Sequence, residues 1–193
     1  MGKKNKLVYG VGINDADYVV CPVINGKQVM CPFYQAWKNM IVRCYGMNNQ
    51  NNNPTYIGCS VREEWLTFSN FKKWMETQDW EGKELDKDLL IEGNKVYSPE
   101  TCVFVDKMTN LFTLDRGAAR GEFPIGVGFI KRVGKFKAYC RNPFTKKLEH
   151  LGYFAHKEQA HLAWGERKHE LSCQLADLQV DERVAKVLRV RYQ

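Results

Sequence analysis

The segment IGVGFIKRVGKFKAYCRNPFTKKLEHLGYF, residues 125–154, decides the fold of the C-terminal part of this 193-residue chain. It contains three runs rich in β-branched and aromatic residues, at 125–133, 135–143 and 147–154, with short turns between them. Closely connected runs of this kind are typical of consecutive antiparallel strands. The sequence therefore predicts a three-stranded antiparallel meander.

The central run alternates between apolar and basic side chains. One parity holds Phe136, Ala138 and Cys140, and the other holds Lys135, Lys137, Tyr139 and Arg141. Because successive side chains of a strand point to opposite faces, one face of the sheet is predicted to be apolar and the other basic. The apolar face should pack on a helix predicted over 157–171, where Ala160 and Ala163 allow close approach.

Residues 122–171 resemble the APETALA-type DNA-binding domain of plant ethylene-response factors, through the motifs GV, GKFKAYCRNP and HLGYF and the alanine-rich helix. The resemblance implies that the sheet enters the major groove of double-stranded DNA. It assigns DNA contacts to basic and aromatic residues of the sheet, namely Lys131, Arg132, Lys137, Tyr139, Arg141 and His150. Gly128 replaces a contact arginine of the plant proteins, so their base preference is not expected here.

The charge distribution agrees with a nucleic-acid partner. Residues 1–119 contain 14 Lys and Arg and 14 Asp and Glu, whereas residues 120–193 contain 15 and 8, so the whole formal charge of +7 lies in the second part. Between 120 and 157 there are nine basic residues and two acidic ones. A soluble protein with a neutral part and a basic part is expected to bind a polyanion, with DNA favoured and RNA left open.

A second informative stretch is LDKDLLIEGNKVYSPETCVFVDKMTN, residues 85–110. Its first residues alternate as a half-buried strand does, Gly93 and Pro99 punctuate a long loop, CVFV forms a short strand, and Asp106 can cap a helix that runs through Asn110. The predicted order is strand, loop, strand, helix.

This stretch resembles the HNH nuclease superfamily, whose ββα-metal core has the same order, and YSPETC is close to the YSPENC loop of its phage and bacterial branch. The resemblance makes Asp86 and Asn110 ligands of Mg²⁺ or Mn²⁺ and Asp88 an auxiliary ligand or base. Lys87 falls at the position of the general-base histidine and is expected to contact phosphate. Residues 1–119 contain no histidine, so the usual proton acceptor is missing there.

Three interpretations of this stretch remain open. It is an active nuclease variant in which Asp88, Glu84 or solvent deprotonates metal-bound water, or a degenerate nuclease core kept for DNA binding, or a solvated polar hairpin. The first makes the protein a phage-type homing endonuclease that hydrolyses phosphodiester bonds, a metal-dependent enzyme. The second makes it a catalytically inactive, sequence-preferring DNA-binding or regulatory protein.

The remaining N-terminal residues predict a small sheet with a hairpin turn at Asn25-Gly26, an amphipathic helix over 32–45, an Asn-rich loop over 46–54 and a helix that begins after Thr67. Arg43 lies on the polar face of the first helix, where solvation is favoured over a phosphate contact.

The whole chain is thus predicted to be an α+β protein of two domains. Residues 1–117 form an α+β domain with a ββα-metal-like hairpin-helix core, and residues 118–193 form a three-stranded antiparallel sheet packed on one helix, with a linker at 115–124. No membrane span, small-molecule substrate or disulfide framework is expected. The predicted location is the cytoplasm, which is the bacterial host's if the gene belongs to a phage.

Overall fold

The computed structural model describes residues 7–114 and 122–193 and shows a mixed α+β protein. The chain forms two compact units, Met1–Asp106 and Lys107–Gln193. The predicted boundary after residue 117 and most of the predicted linker at 115–124 lie outside the described residues. None of the helices in the described ranges is long and apolar enough to cross a membrane.

The described part of the first unit consists of short strands, three α-helices and two 3-10 turns. Its elements are β1 (Val23–Ile24), β2 (Lys27–Gln28), α1 (Pro32–Tyr45), α2 (Met47–Asn52), a 3-10 turn (Pro54–Tyr56), β3 (Ser60–Val61), a second 3-10 turn (Glu63–Leu66), α3 (Phe68–Met75), β4 (Glu84–Asp86), β5 (Val96–Tyr97) and β6 (Val103–Val105). Within residues 7–106 the strands form three two-stranded sheets, β1-β2, β3-β5 and β4-β6, and β3-β5 alone of these is parallel.

The core of the first unit is aromatic and lies between α1 and α3. Trp37, Phe68 and Phe71 are fully buried, and the indole N–H of Trp37 donates to the backbone oxygen of Trp65 at 2.7 Å. The predicted range of α1 is confirmed, because Pro32 suits the first turn and the apolar spacing of 3–4 residues continues to its end.

One prediction about the first unit is wrong. The Asn-rich segment is not a loop, since it contains α2, whose amide side chains leave no apolar stripe for a pattern to detect. The predicted small sheet is present as the antiparallel hairpin β1-β2. The predicted turn at Asn25-Gly26 is present, with φ of 49° and 75° at its two residues.

The described part of the second unit, residues 107–114 and 122–193, consists of the predicted meander and three helices. Its described elements are α4 (Lys107–Thr113), β7 (Val127–Ile130), β8 (Lys135–Arg141), β9 (Leu148–Phe154), α5 (Lys157–Ala176) and α6 (Glu182–Val190). The three strands form one antiparallel sheet in the order β7-β8-β9. Ala160 of α5 is fully buried beside Val127 and Ala138, so the small side chain permits the close helix–sheet contact that the sequence predicted.

Gly126, just before β7, fixes the approach of α5 to the sheet. Its φ is +77°, and a Cβ atom there would lie 2.1 Å from Cδ1 of Trp164 on α5. The indole therefore occupies the space that any other side chain at this position needs. The ring of Trp164 also stacks on His161, whose Nδ1 lies 3.0 Å from the backbone oxygen of Ile125.

Candidate nucleic-acid interface

The outward face of the sheet is defined by the strand register. Ala138 pairs with Val127 and Gly152, and these residues face α5, whereas the neighbouring pairs Lys137–Gly128 and Lys137–Tyr153 face away from it. By the same alternation the outward face comprises Gly128, Ile130, Lys135, Lys137, Tyr139, Arg141, Leu148, His150 and Tyr153. The predicted division into an apolar and a basic face is thus observed.

The cations of the outward face have no acidic partner among the described residues. Lys135 and Arg141 are exposed and Lys137 is half-buried, and no carboxylate in the described ranges lies within ion-pair distance of any of the three. Their charge is therefore not balanced within the described structure. A surface of this kind attracts an anion from outside.

The only acidic residue of the three strands, Glu149, is turned away from this face. It pairs with Cys140 on the inner side, where the Arg167 guanidinium of α5 donates to both of its oxygens at 2.7 and 3.2 Å and the Asn142 amide donates at 2.7 Å. Arg167, followed by Asn142, lowers the pKa of Glu149 below its ordinary value. The negative charge is neutralised on the opposite side of the sheet from Lys137 and Arg141.

Basic residues also occupy both hairpin turns of the meander. Lys131 and Arg132, to which the resemblance assigns DNA contacts, are exposed in the turn between β7 and β8. In the turn between β8 and β9, the Asn142 side-chain oxygen accepts from the backbone N–H groups of Phe144 and Thr145. This Asx turn presents the following basic pair, Lys146-Lys147, which the sequence analysis did not single out.

The residues of the second candidate constellation are held mainly by one another and by the backbone. Asp86, at the end of β4, accepts from the backbone N–H groups of Asp88 and Leu89 at 2.9 and 2.7 Å through Oδ1. Burial, and then the neighbouring Asp88 carboxylate, raise the pKa of Asp86 above its ordinary value. One oxygen of Asp86 therefore stabilises a turn. Its environment also disfavours the negatively charged form of the carboxyl group.

Lys87 is only 6 % exposed, and its Nζ donates to Oδ2 of Asp88 at 2.9 Å. Burial alone would lower the pKa of Lys87, but the pairing with Asp88 outweighs it and the pKa lies above the ordinary value. The ammonium group is thus protonated and already paired with a carboxylate. A protonated lysine cannot serve as the proton acceptor that the missing histidine would provide.

Arg43 is a neighbour of this constellation that the sequence analysis placed in solvent. Its side chain is half-buried, with Nη1 3.5 Å from the backbone oxygen of Leu85 and the guanidinium 5.6 Å from the centre of the Tyr56 ring. Burial opposes its charge, but Tyr97, Tyr56 and Asp86 raise its pKa above the ordinary value. No periodicity distinguishes a solvated arginine from one that turns toward a carboxylate.

The loop between β4 and β6 is braced internally. The Asn94 amide donates to the backbone oxygens of Lys87 and Val96 at 2.6 and 2.7 Å, and the Thr101 hydroxyl donates to Val96 at 2.9 Å. Asn110, the other predicted ligand, is half-buried in α4, which belongs to the second unit. Among the described residues, no group of three or more His, Cys, Asp or Glu side chains is arranged to hold a metal ion.

No protein-family model, curated protein or solved structure matches this chain.

Proposed function

We propose that this protein binds double-stranded DNA through the outward face of the β7-β8-β9 sheet. The observation that carries the proposal is the separation of charge across the sheet. Lys135, Lys137 and Arg141 point outward without a described carboxylate partner, while Glu149 lies on the inner side and is neutralised by Arg167. An outward positive face of this kind is the electrostatic requirement for phosphate binding.

The dimensions of the sheet fit the major groove of B-form DNA. The groove is about 12 Å wide and admits a two-stranded β-ribbon. Outward side chains of β8 recur every two residues, about 6.8 Å apart, which corresponds to about two base-pair steps. Lys137, Tyr139 and Arg141 can therefore reach about every second base pair along the groove. The deep, narrow major groove of double-stranded RNA does not admit such a sheet, which favours DNA.

The residues divide by the kind of contact expected. Arg141, at the end of β8, has the planar fork that pairs with the O6 and N7 atoms of guanine, and Lys137 donates to similar acceptors. Lys131 and Arg132 in the β7-β8 turn are expected to contact phosphates. The resemblance to APETALA-type domains supports this division, as does the observed order of three strands followed by one long helix.

The proposal is tested by duplex binding measured with fluorescence anisotropy at fixed salt. Arg141→Ala and Tyr139→Ala should each weaken affinity by about 5- to 100-fold, the cost of one good base contact. Lys186→Ala, which removes an exposed charge from α6, is the matched control and should change affinity less than twofold. Unchanged affinity for Arg141→Ala and Tyr139→Ala would exclude this face.

A second candidate function is metal-dependent cleavage of DNA, in the manner of a phage-type homing endonuclease. The observation that favours it is the order of β4, β6 and α4, in which the two strands pair antiparallel and a helix follows directly. In this proposal Asp86 would bind Mg²⁺ or Mn²⁺ with Asp88 assisting, and Lys87 would contact phosphate. Asn110 is the further ligand that the resemblance assigns. The alternative is a binding protein without turnover.

An assay for nicking of supercoiled plasmid in Mg²⁺ or Mn²⁺ distinguishes an active nuclease from a binding protein without turnover. Asp86→Asn is a sharp variant, because an amide oxygen still accepts the two turn hydrogen bonds while the charge is removed. If cleavage is intrinsic, Asp86→Asn and Asn110→Ala abolish it and leave duplex affinity within about threefold. Equal nicking by all three proteins would assign the activity to a contaminant, and DNA binding without nicking would favour the non-catalytic alternative.

A further inference from the structure

Strand β9 contains a bulge that changes which side chains share a face. Ala138 of β8 pairs with Gly152, but the next residue, Tyr139, pairs with His150, so Leu151 is an extra residue on β9. Gly152 has φ of +137°, a conformation that other residues rarely adopt. Leu151 packs against the small core beneath the sheet.

The bulge brings His150 and Tyr153 onto the same outward face. In a regular strand, residues three apart point to opposite sides, whereas here His150 pairs with outward Tyr139 and Tyr153 pairs with outward Lys137. The centres of the two rings are 4.6 Å apart. Tyr153 is 53 % exposed although it contacts a neighbouring ring, so much of its surface is open.

Tyr139 lies on the same outward face as this pair of rings. It lies directly opposite His150 across the strands, and its ring extends over Gly128, where a Cβ atom would be 3.5 Å from Cε1. Tyr139, His150 and Tyr153 are called the aromatic platform below. Lys137, beside Tyr153, and Arg141, beyond Tyr139, provide cations at its border.

Exposed rings next to cations are suited to nucleobases whose faces are open. In a double helix the faces of the bases are covered by their neighbours, and only edges are reached from the grooves. Unpaired bases instead stack on aromatic side chains while basic groups neutralise the phosphates. The aromatic platform therefore offers a contact that a closed duplex cannot use.

We propose that the aromatic platform binds unpaired bases of single-stranded DNA, with Tyr153 and His150 as the stacking residues. This inference rests on the proposed nucleic-acid function of the same face and names a second form of its ligand. The cations at the border serve both forms, whereas the open ring of Tyr153 serves the single strand. Single-strand and duplex binding should therefore respond differently to the loss of one ring.

The test uses a 12-nucleotide single strand that carries 2-aminopurine, whose fluorescence is quenched when it stacks, and a 20-base-pair duplex. Tyr153→Ala should weaken single-strand affinity at least about fivefold and reduce the quenching, since one base stack is lost. Tyr153→Phe keeps the ring and should remain within about twofold of the wild type. Duplex affinity should change less than twofold in both variants.

The outcomes separate this inference from the proposed function. Duplex binding together with single-strand binding that Tyr153→Ala leaves unchanged would overturn the stacking role and leave the proposed function intact. If the wild type bound the duplex but not the single strand, the stacking role would also be overturned and the proposed function would stand. Failure of the wild type to bind either ligand would overturn both. His150→Ala, a second exposed change, should also weaken single-strand affinity and guards against a local effect of one substitution. Its duplex affinity does not serve as a control, because His150 is itself assigned a contact to the duplex.

Discussion

The two candidate sites differ in whether their charged side chains have partners within the described structure. In the first unit, Lys87 is buried and paired with Asp88, and Asp86 accepts two backbone hydrogen bonds. In the second unit, Lys137 and Arg141 point outward without a described carboxylate partner. Charges that are satisfied internally stabilise a turn or a loop, whereas unbalanced outward charges favour a partner. This contrast makes DNA binding the better supported function and cleavage the second candidate.

The largest expected effect concerns the scaffold that presents the basic face. Gly126→Ala should destabilise the second unit by about 3 kcal/mol or more, because its Cβ would overlap Trp164 and its φ is positive. Gly134→Ala is the matched control, since φ is +62° but nothing lies within 4 Å, and should cost about 1 kcal/mol. Urea unfolding measures the free energy of unfolding of both variants. Equal losses would show that the contact between Gly126 and Trp164 does not stabilise the second unit.

The next effect tests a half-buried cation that, unlike those of the sheet, faces inward. Lys168 of α5 lies 3.3 Å from the centre of the Phe112 ring and donates to the Phe112 backbone oxygen at 2.6 Å. Burial lowers the pKa of Lys168 to about 8, with Cys140 and Arg191 as nearby titratable groups.

Because the folded pKa of Lys168 is below the unfolded value, the unfolded state binds more protons between about pH 8 and 10.5. The contribution of Lys168 to stability should therefore rise with pH across this window, by up to about 3 kcal/mol. The measurement is the free energy of unfolding of the wild type minus that of Lys168→Met at each pH. A difference that stays flat from pH 8 to 10.5 would contradict the burial of an ammonium group there.

A smaller effect tests the ion pair that neutralises Glu149, the acidic residue of the sheet. Arg167→Ala should destabilise the protein by about 1 kcal/mol, because Glu149 loses a two-point ion pair that is still partly solvated. In the Glu149→Gln background the same change should cost less, and the difference is the coupling energy. Equal costs in both backgrounds would show that Arg167 acts through its other partner, Glu170.

Local patterns were sufficient where neighbouring residues decide the structure. The range of α1, the turn at Asn25-Gly26 and the three strands of the meander follow from apolar spacing and turn residues. The basic face of β8 follows from simple alternation, which holds through the whole of that strand.

Features that depend on distant or irregular contacts were not predictable. The parallel pair β3-β5 joins residues about 36 positions apart, and the inward turn of Arg43 depends on Asp86 and Tyr97. Tyr153 was missed because alternation from His150 places it on the wrong face, and only the bulge reverses this. Gly152 within a strand was the one local signal for that bulge.

The central claim is most directly tested by the salt dependence of duplex binding. The slope of log affinity against log salt should fall in magnitude by about 2 when Lys131 and Arg132 are both replaced by Ala, as two phosphate contacts are lost. Lys186→Ala should leave the slope unchanged. A double variant with the wild-type slope and affinity would contradict the account and place any DNA contact elsewhere on the chain.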